Sequence, residues 1–304
     1  MFLYRVATGP SAKRVWMTSD KAFTSVHSVQ LLTLVAAESS LFELRHQLAS
    51  NQGKQELVHY SQLVAPIAND YPPMVLGIGL NYAAHSLETQ SAISANREGS
   101  YPIVFGKSPR SVIGPSQAIE IPRVCSKDET DFEVELAIVI GRECKNVPKE
   151  RAMDYVLGFT CANDVSARKW QGKHRGGGQW SKAKSFDTFC PLGPGLFIPP
   201  PPSSASPVPT FSLESRIKKS GNAEFAPMQN GTTRDLIYDV AYLVEFLSQD
   251  ATLPAWTVIL TGTPAGVGYT RKPSPVVLEP GDEIECQVRE IGTLWNPITQ
   301  APSC

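Results

Sequence analysis

Between Asp131 and Gly141 the chain reads DFEVELAIVIG, with an acidic residue at every second position of its first half. In an extended strand that period puts Asp131, Glu133 and Glu135 on one face and Phe132, Val134, Leu136, Ile138 and Ile140 on the other. If the acidic face turns inward, its carboxylates must be paired, protonated or bound to a cation, because burying them unpartnered is costly. A second strand-like run, FTCAND, ends at Asp164, which can bring a third oxygen ligand to the same sheet end. An all-oxygen set of this kind suits Mg²⁺, Mn²⁺ or Ca²⁺, and Mg²⁺ keeps water-filled positions open for a substrate. Taken alone, the alternation is better explained as a solvated strand face, so the metal reading needs further motifs.

The elements that would position these acids are mostly strands. From Tyr71 onward, short β-rich runs (MVLGIGLNY, YPIVFGK, DFEVELAIVIG, VLGFTCANDV, WTVILTG, DEIECQVREIG) are separated by Gly and Pro. One helix interrupts them: Leu236, Ile237, Val240, Leu243, Val244 and Leu247 recur every three to four residues and predict a helix over 235–249 that packs on the sheet. Ahead of this body, MFLYRVAT predicts a first strand with a turn at Gly9-Pro10, and Leu41, Leu44 and Leu48 fall at helical spacing. The expected division is a small N-terminal module over 1–70 and a catalytic domain over 71–304. The proline-rich stretch 199–209 reads as an exposed, stiff connector with no part in catalysis.

Bulk properties exclude several function classes. The 304 residues are 42% hydrophobic and 19% charged, and 28 basic against 29 acidic residues leave a net charge of −1. There is no broad basic field to attract nucleic acid or an anionic membrane, so an anionic substrate must be met locally. The six cysteines form no CxxC pair, which argues against a zinc site and a disulfide scaffold and for a reducing compartment. No apolar run reaches the roughly 18 to 20 residues of a membrane span. The expected location is cytoplasmic. Arg5, Lys13 and Arg14 ahead of the first acidic residue keep a mitochondrial presequence as the alternative, although a plain first strand accounts for them better.

Five motifs stand in order along most of the chain: NYAAHSLE (81–88), DFEVELAIVIG, NDVSARKWQ (163–171), KSFDTFCPLGP (184–194) and LTGTPAGVG (260–268). Together they resemble the fumarylacetoacetate hydrolase family over about residues 71–295, nearest the group of acylpyruvases and oxaloacetate decarboxylases. The resemblance implies an α+β, predominantly β fold: a mixed β-sandwich roll with the site at its open mouth. It also implies a divalent metal, Mg²⁺ first, on Glu133, Glu135 and Asp164, in agreement with the strand argument.

Carried over residue by residue, the resemblance makes Lys184 the lysine that helps hold a developing oxyanion. His85 and Glu88 correspond to a proton-moving dyad, and their spacing of three lets the side chains meet on one helical turn. Thr263 and the glycines of TGTPAGVG match a turn that faces the substrate's carboxylate or ketone. Arg168 and Gln171 match residues lining the pocket. Two features depart from the small-acid members: Leu80 stands where some carry a basic residue, and the segment from Ser86 to Tyr101 is longer and reads as a lid. Both leave room for a bulkier or less acidic substrate than oxaloacetate.

The implied activity is Mg²⁺-dependent hydrolysis of a carbon-carbon bond in a 2-oxo acid or 1,3-diketone through an enolate. The alternatives are decarboxylation of an oxaloacetate-like acid or enol-keto isomerisation, including a dedicated biosynthetic step. A non-catalytic binding protein on the same fold would be expected to have lost ligands or the dyad, and neither is lost here. A homodimer is implied by the resemblance alone.

Overall fold

The computed structural model describes residues 1–8, 13–23, 29–35, 55–67, 71–89, 100–125, 127–172, 175, 178–200 and 208–302. The expected leucine stripe at Leu41, Leu44 and Leu48, the middle of the expected lid (90–99) and most of the expected connector (201–207) lie outside the described residues.

The strands in chain order are β1 (Phe2–Thr8), β2 (Lys13–Ser19), β3 (Val29–Val35), β4 (Gln55–His59), β5 (Leu63–Val64), β6 (Val75–Gly79), β7 (Ile103–Lys107), β8 (Val112–Ile113), β9 (Ile119–Ile121) and β10 (Thr130–Asp131). They continue with β11 (Val134–Ile140), β12 (Val156–Asn163), β13 (Ser166–Ala167), β14 (Cys190–Phe197), β15 (Ser212–Lys218), β16 (Ala226–Thr232), β17 (Val258–Leu260), β18 (Glu283–Val288) and β19 (Gly292–Gln300). Among the described residues four short α-helices accompany them: α1 (Ala83–Glu88), α2 (Arg168–Gln171), α3 (Trp180–Lys184) and α4 (Val240–Ser248).

A 12-stranded sheet runs in the order β4-β3-β2-β1-β14-β12-β11-β17-β6-β7, with β5 beside β1 and β8 beside β14. A five-stranded sheet runs β16-β15-β18-β19-β9, and β10 pairs with β13 as a separate ribbon. Most pairs are antiparallel, while β6–β17, β8–β14 and β9–β19 are parallel, so the sheets are mixed. The predominantly β architecture expected from the sequence is the one observed.

The main core lies where the two sheets face each other. Leu136 and Ile138 of β11 and Phe159 and Cys161 of β12 meet Leu213 of β15, Ile284 and Val288 of β18 and Ile298 of β19. Strand β11 is buried on both faces, as expected for a strand covered on both sides. Its alternation therefore distinguishes two interiors. Leu136 and Ile138 enter the main core, whereas Ala137 and Val139, on the same face as Glu135, pack in two smaller apolar clusters.

The helix predicted over 235–249 is shorter, Val240–Ser248, and begins at a cap: the Asp239 side chain accepts a hydrogen bond from Tyr242 N at 2.8 Å. Leu236 and Ile237 remain outside because Asn81 takes the preceding backbone. Ile237 N donates to Asn81 O at 2.9 Å and Tyr238 N to Asn81 Oδ1 at 2.7 Å. The helix then buries Val240, Leu243, Val244 and Leu247, each worth about 1.5–3 kcal/mol relative to exposure. Among the described residues no helix is long and apolar enough to cross a membrane.

Candidate active site

The register of β11 on β12 builds the acidic cluster. Val134 pairs with Asn163 and Glu135 with Ala162, so Glu133 and Glu135 at the start of β11 lie beside Asp164 just past the end of β12. Asp164 N donates to Glu133 O at 2.9 Å, and Asn163 Oδ1 accepts from Glu133 N at 3.0 Å. One ligand oxygen from each of Glu133, Glu135 and Asp164 can be chosen so that all lie within 4.8 Å of one another, and all three residues are buried.

Asp131 leaves this group, because the regular strand breaks at Phe132 and Glu133. Its Oδ1 accepts from Gly268 N and Phe132 N, each at 2.9 Å, and its Oδ2 from Tyr269 N at 3.1 Å and Arg168 Nε at 2.9 Å. Asp131 thus fastens the 268–269 turn rather than joining the cluster. A side chain on Gly268 would strike Val276 O and Asp131 Oδ1, which is why the backbone can come this close only at a glycine.

Three cations meet the acids. Lys184, at the end of α3, donates from Nζ to Glu133 Oε2 and Ser166 Oγ at 2.8 Å each, and to Asp164 Oδ2. Lys107, at the end of β7, donates to Asp164 Oδ1 at 2.6 Å. Arg168 Nη2 lies 2.7 Å from Glu133 Oε1 and 2.8 Å from Asp131 Oδ2, close enough for ion pairs but without hydrogen-bond angles. Its Nη1 donates to Gln171 Oε1 at 2.8 Å.

These pairings set the charge states. Burial works to raise the Glu133 carboxyl, but Lys184 and Arg168 outweigh it and hold it well below the usual carboxylate range. Burial likewise works to lower the Lys184 ammonium, and Asp164 and Glu133 reverse the sign, so Lys184 stays charged. Glu135 goes the other way: burial first, then the like charges of Asp164 and Glu133, push its carboxyl well above the ordinary value. Its hydrogen-bond partner is the Gly262 amide, at 2.6 Å, and no lysine or arginine pairs with it among the described residues. Gly262 reaches that geometry at φ +96, where a side chain would meet Asn81 Cβ.

Three buried carboxylates, one of them lacking a cationic partner, are a donor set that fits a hard divalent cation. Such an ion would relieve the repulsion at Glu135, and Glu133, Glu135 and Asp164 are the residues that would hold it.

Across the cavity, α1 carries His85 and Glu88. His85 Nδ1 lies 2.6 Å from Glu88 Oε1. Glu88 Oε2 accepts from Gly266 N at 2.9 Å and from Thr270 Oγ1 at 3.1 Å. Burial favours a raised Glu88 carboxyl, but the bonds from His85 and Gly266 overturn it and hold the group below its ordinary value. An ionised Glu88 only accepts, so the proton of the pair sits on His85 Nδ1 and leaves Nε2 as the second functional nitrogen.

A cavity of about 620 Å³ joins these parts, with His85, Glu88, Glu133, Glu135, Arg168, Gln171, Lys184 and Thr263 on its wall. Asp164 lies behind them, tied to Lys184 and Lys107. The Thr263 hydroxyl donates to Val134 O at 2.8 Å and accepts from Gln229 Nε2 at 2.6 Å, so its proton is held by the backbone. The rest of the wall had not been singled out by motif. Phe105 and Trp180 (ring centroids 5.7 Å apart), Ile78 and Leu80 add apolar lining, and Tyr269, Thr270 and Lys272 add polar lining. Lys107 was also missed; its one sequence signal is a lysine closing an apolar strand, YPIVFGK.

The chain is similar to known proteins in sequence and in fold. The model of the Fumarylacetoacetate (FAA) hydrolase C-terminal domain matches residues 74–299. Over 265 residues the chain is 40% identical to the mitochondrial oxaloacetate tautomerase fahd2 of Xenopus laevis, covering 87% of this chain and 76% of that protein. Among solved structures, 5-carboxymethyl-2-hydroxymuconate delta-isomerase from Mycobacterium smegmatis is 33% identical with a TM-score of 0.70, covering 100% of both chains. Fumarylacetoacetate hydrolase from psychrophilic Exiguobacterium antarcticum is 29% identical with a TM-score of 0.74, covering 99% of this chain and 100% of that one.

Proposed function

The chain belongs to the fumarylacetoacetate hydrolase family and is an enzyme, and from that premise we propose that it moves a proton between the 2-oxygen and the adjacent carbon, C3, of a small 2-oxo acid, an enol-keto tautomerase. The observation that carries this reading is that the His85–Glu88 pair, with His85 buried and Glu88 half-buried, lines the same cavity as Lys184, Glu133 and Glu135. Proton transfer at an α-carbon needs a base or acid on one side and fixed positive charge at the oxo oxygen on the other, and the cavity offers both.

Glu133, Glu135 and Asp164 would hold a divalent cation, Mg²⁺ the first candidate, and that ion would supply Lewis-acid charge to the site. Lys184, held charged by Glu133 and Asp164, adds a second fixed positive charge for the enolate oxygen. His85 takes or returns the carbon-bound proton through Nε2. Glu88 fixes the ring, since its other oxygen is anchored to Gly266 and Thr270. Phe105, Trp180 and Leu80 exclude water from one side of the reacting carbon.

Hydrolysis of a carbon-carbon bond is the second reading, because a neutral His85 held by Glu88 can equally deprotonate a water. The relative named oxaloacetate tautomerase, at 40% identity, favours tautomerisation. The deciding experiment offers the purified protein oxaloacetate, an acylpyruvate and fumarylacetoacetate, with Mg²⁺ and with a chelator, and identifies products by NMR. Metal-dependent interconversion of enol and keto forms without new carbon fragments supports the proposal. Fragment acids in stoichiometric pairs would replace it with the hydrolase.

A further inference from the structure

We infer that Lys272 is a specificity-determining residue, binding a second carboxylate at the end of the substrate remote from its 2-oxo acid group. The inference rests on the proposed binding of the 2-oxo acid end at Glu133, Glu135 and Asp164, and it names the class of acid that fits: one with a distal anionic group.

Positive charges stand in and behind the cavity wall. Lys184 is bound by Glu133, Asp164 and Ser166. Arg168 is occupied by Asp131, Glu133 and Gln171. Lys107 lies behind Asp164. Each is neutralised by an acid of the site, so none is spare for the outer end of a substrate. Lys272 also lines the cavity, is exposed, and makes no ion pair or hydrogen bond among the described residues.

The backbone that carries Lys272 is held in place. Gly268 N and Tyr269 N donate to the buried Asp131, the Thr270 hydroxyl donates to Glu88, and the Arg271 guanidinium bonds the carbonyls of Met228 and Gly266. Lys272 therefore follows a tethered turn, so its side chain but not its backbone must be ordered when its ammonium meets an anion. Leu80 adds no charge to the cavity wall, which leaves Lys272 as the lining cation without an acid partner among the described residues.

Two unreactive probes test this: N-oxalylglycine and N-ethyloxamate share the chelating oxalyl end and differ by the distal carboxylate. Calorimetric titration of the Mg²⁺-loaded full chain is expected to give tighter binding of N-oxalylglycine, roughly fivefold at low ionic strength and fading as salt rises. In Lys272→Gln the two affinities converge, and in Lys272→Arg the preference survives. No preference in the wild type, a preference retained in Lys272→Gln, or binding of neither probe would each overturn the inference. Because neither probe is turned over, a Lys272-dependent preference in a protein that does not interconvert enol and keto forms would leave the inference standing and remove the tautomerase reading.

Discussion

His85 and Glu88 meet at 2.6 Å across one turn of α1, and the second oxygen of Glu88 is bonded at 2.9 Å to the amide of Gly266. One carboxylate therefore orients an imidazole and also ties its helix to the turn after β17.

This tie has a pH signature. The folded-state pKa of Glu88 is depressed, so its contribution to stability is present above the unfolded carboxylate value of about 4.3 and is lost as pH falls through the depressed folded value. Comparing denaturation of wild type and Glu88→Gln at stepped pH should give a stability gap that is constant near neutrality and narrows below about pH 4. A gap unchanged into strong acid would show that the Glu88 charge contributes nothing.

At the acidic cluster, Glu135→Gln keeps an acceptor for Gly262 N while removing a charge that the site already disfavours. The metal-free variant should be at least as stable as wild type at pH 7. Its Mg²⁺ affinity should fall by about 100-fold or more, since loss of a direct ligand should cost at least as much as loss of an outer-shell partner. Thermal denaturation and calorimetry report the two quantities separately, and undiminished Mg²⁺ binding would place the ion elsewhere.

Lys184→Met strips Glu133 and Asp164 of a shared buried partner. Breaking such a pair from one side costs about 3–5 kcal/mol. Chemical denaturation of the metal-free variant should register a loss of that size, and saturating Mg²⁺ should restore more stability to the variant than it adds to wild type. Equal stabilisation of both proteins by Mg²⁺ would mean that the ion does not compensate the same carboxylates.

Asn81 has a structural role that can be measured independently of turnover. Its amide donates to Tyr238 O at 3.0 Å and Thr261 O at 2.8 Å and accepts from Tyr238 N at 2.7 Å, joining α1, the start of α4 and the 261–263 turn. Asn81→Ala leaves these buried groups unpartnered and should cost about 2–4 kcal/mol by chemical denaturation. A loss under about 0.5 kcal/mol would imply that water replaces the amide.

The parts of the site that were legible beforehand depend on short-range periodicity. The period of two brings together Glu133, just before β11, and Glu135, within it, and the spacing of three lets His85 reach Glu88 within α1. What escaped depends on pairings far apart in the chain. Lys107 meets Asp164 across 57 residues, and at a strand end it reads as an ordinary solvated lysine. Asp131 shares the alternation of its neighbours, yet the break before β11 and the approach of Gly268, 137 residues on, turn it away. The helix start was misplaced for the same reason, since Asn81 captures the backbone of residues 237–238 from more than 150 positions earlier.

The most direct test of the proposed chemistry follows the ultraviolet absorbance of enol-oxaloacetate as it converts to the keto form, with Mg²⁺, for wild type and His85→Gln. Wild type should accelerate the conversion over buffer with Mg²⁺ alone, and His85→Gln should lose about 10²–10⁴ of kcat while binding Mg²⁺ as wild type does. Conversion by wild type at the buffer rate, or undiminished conversion by His85→Gln, would contradict the account.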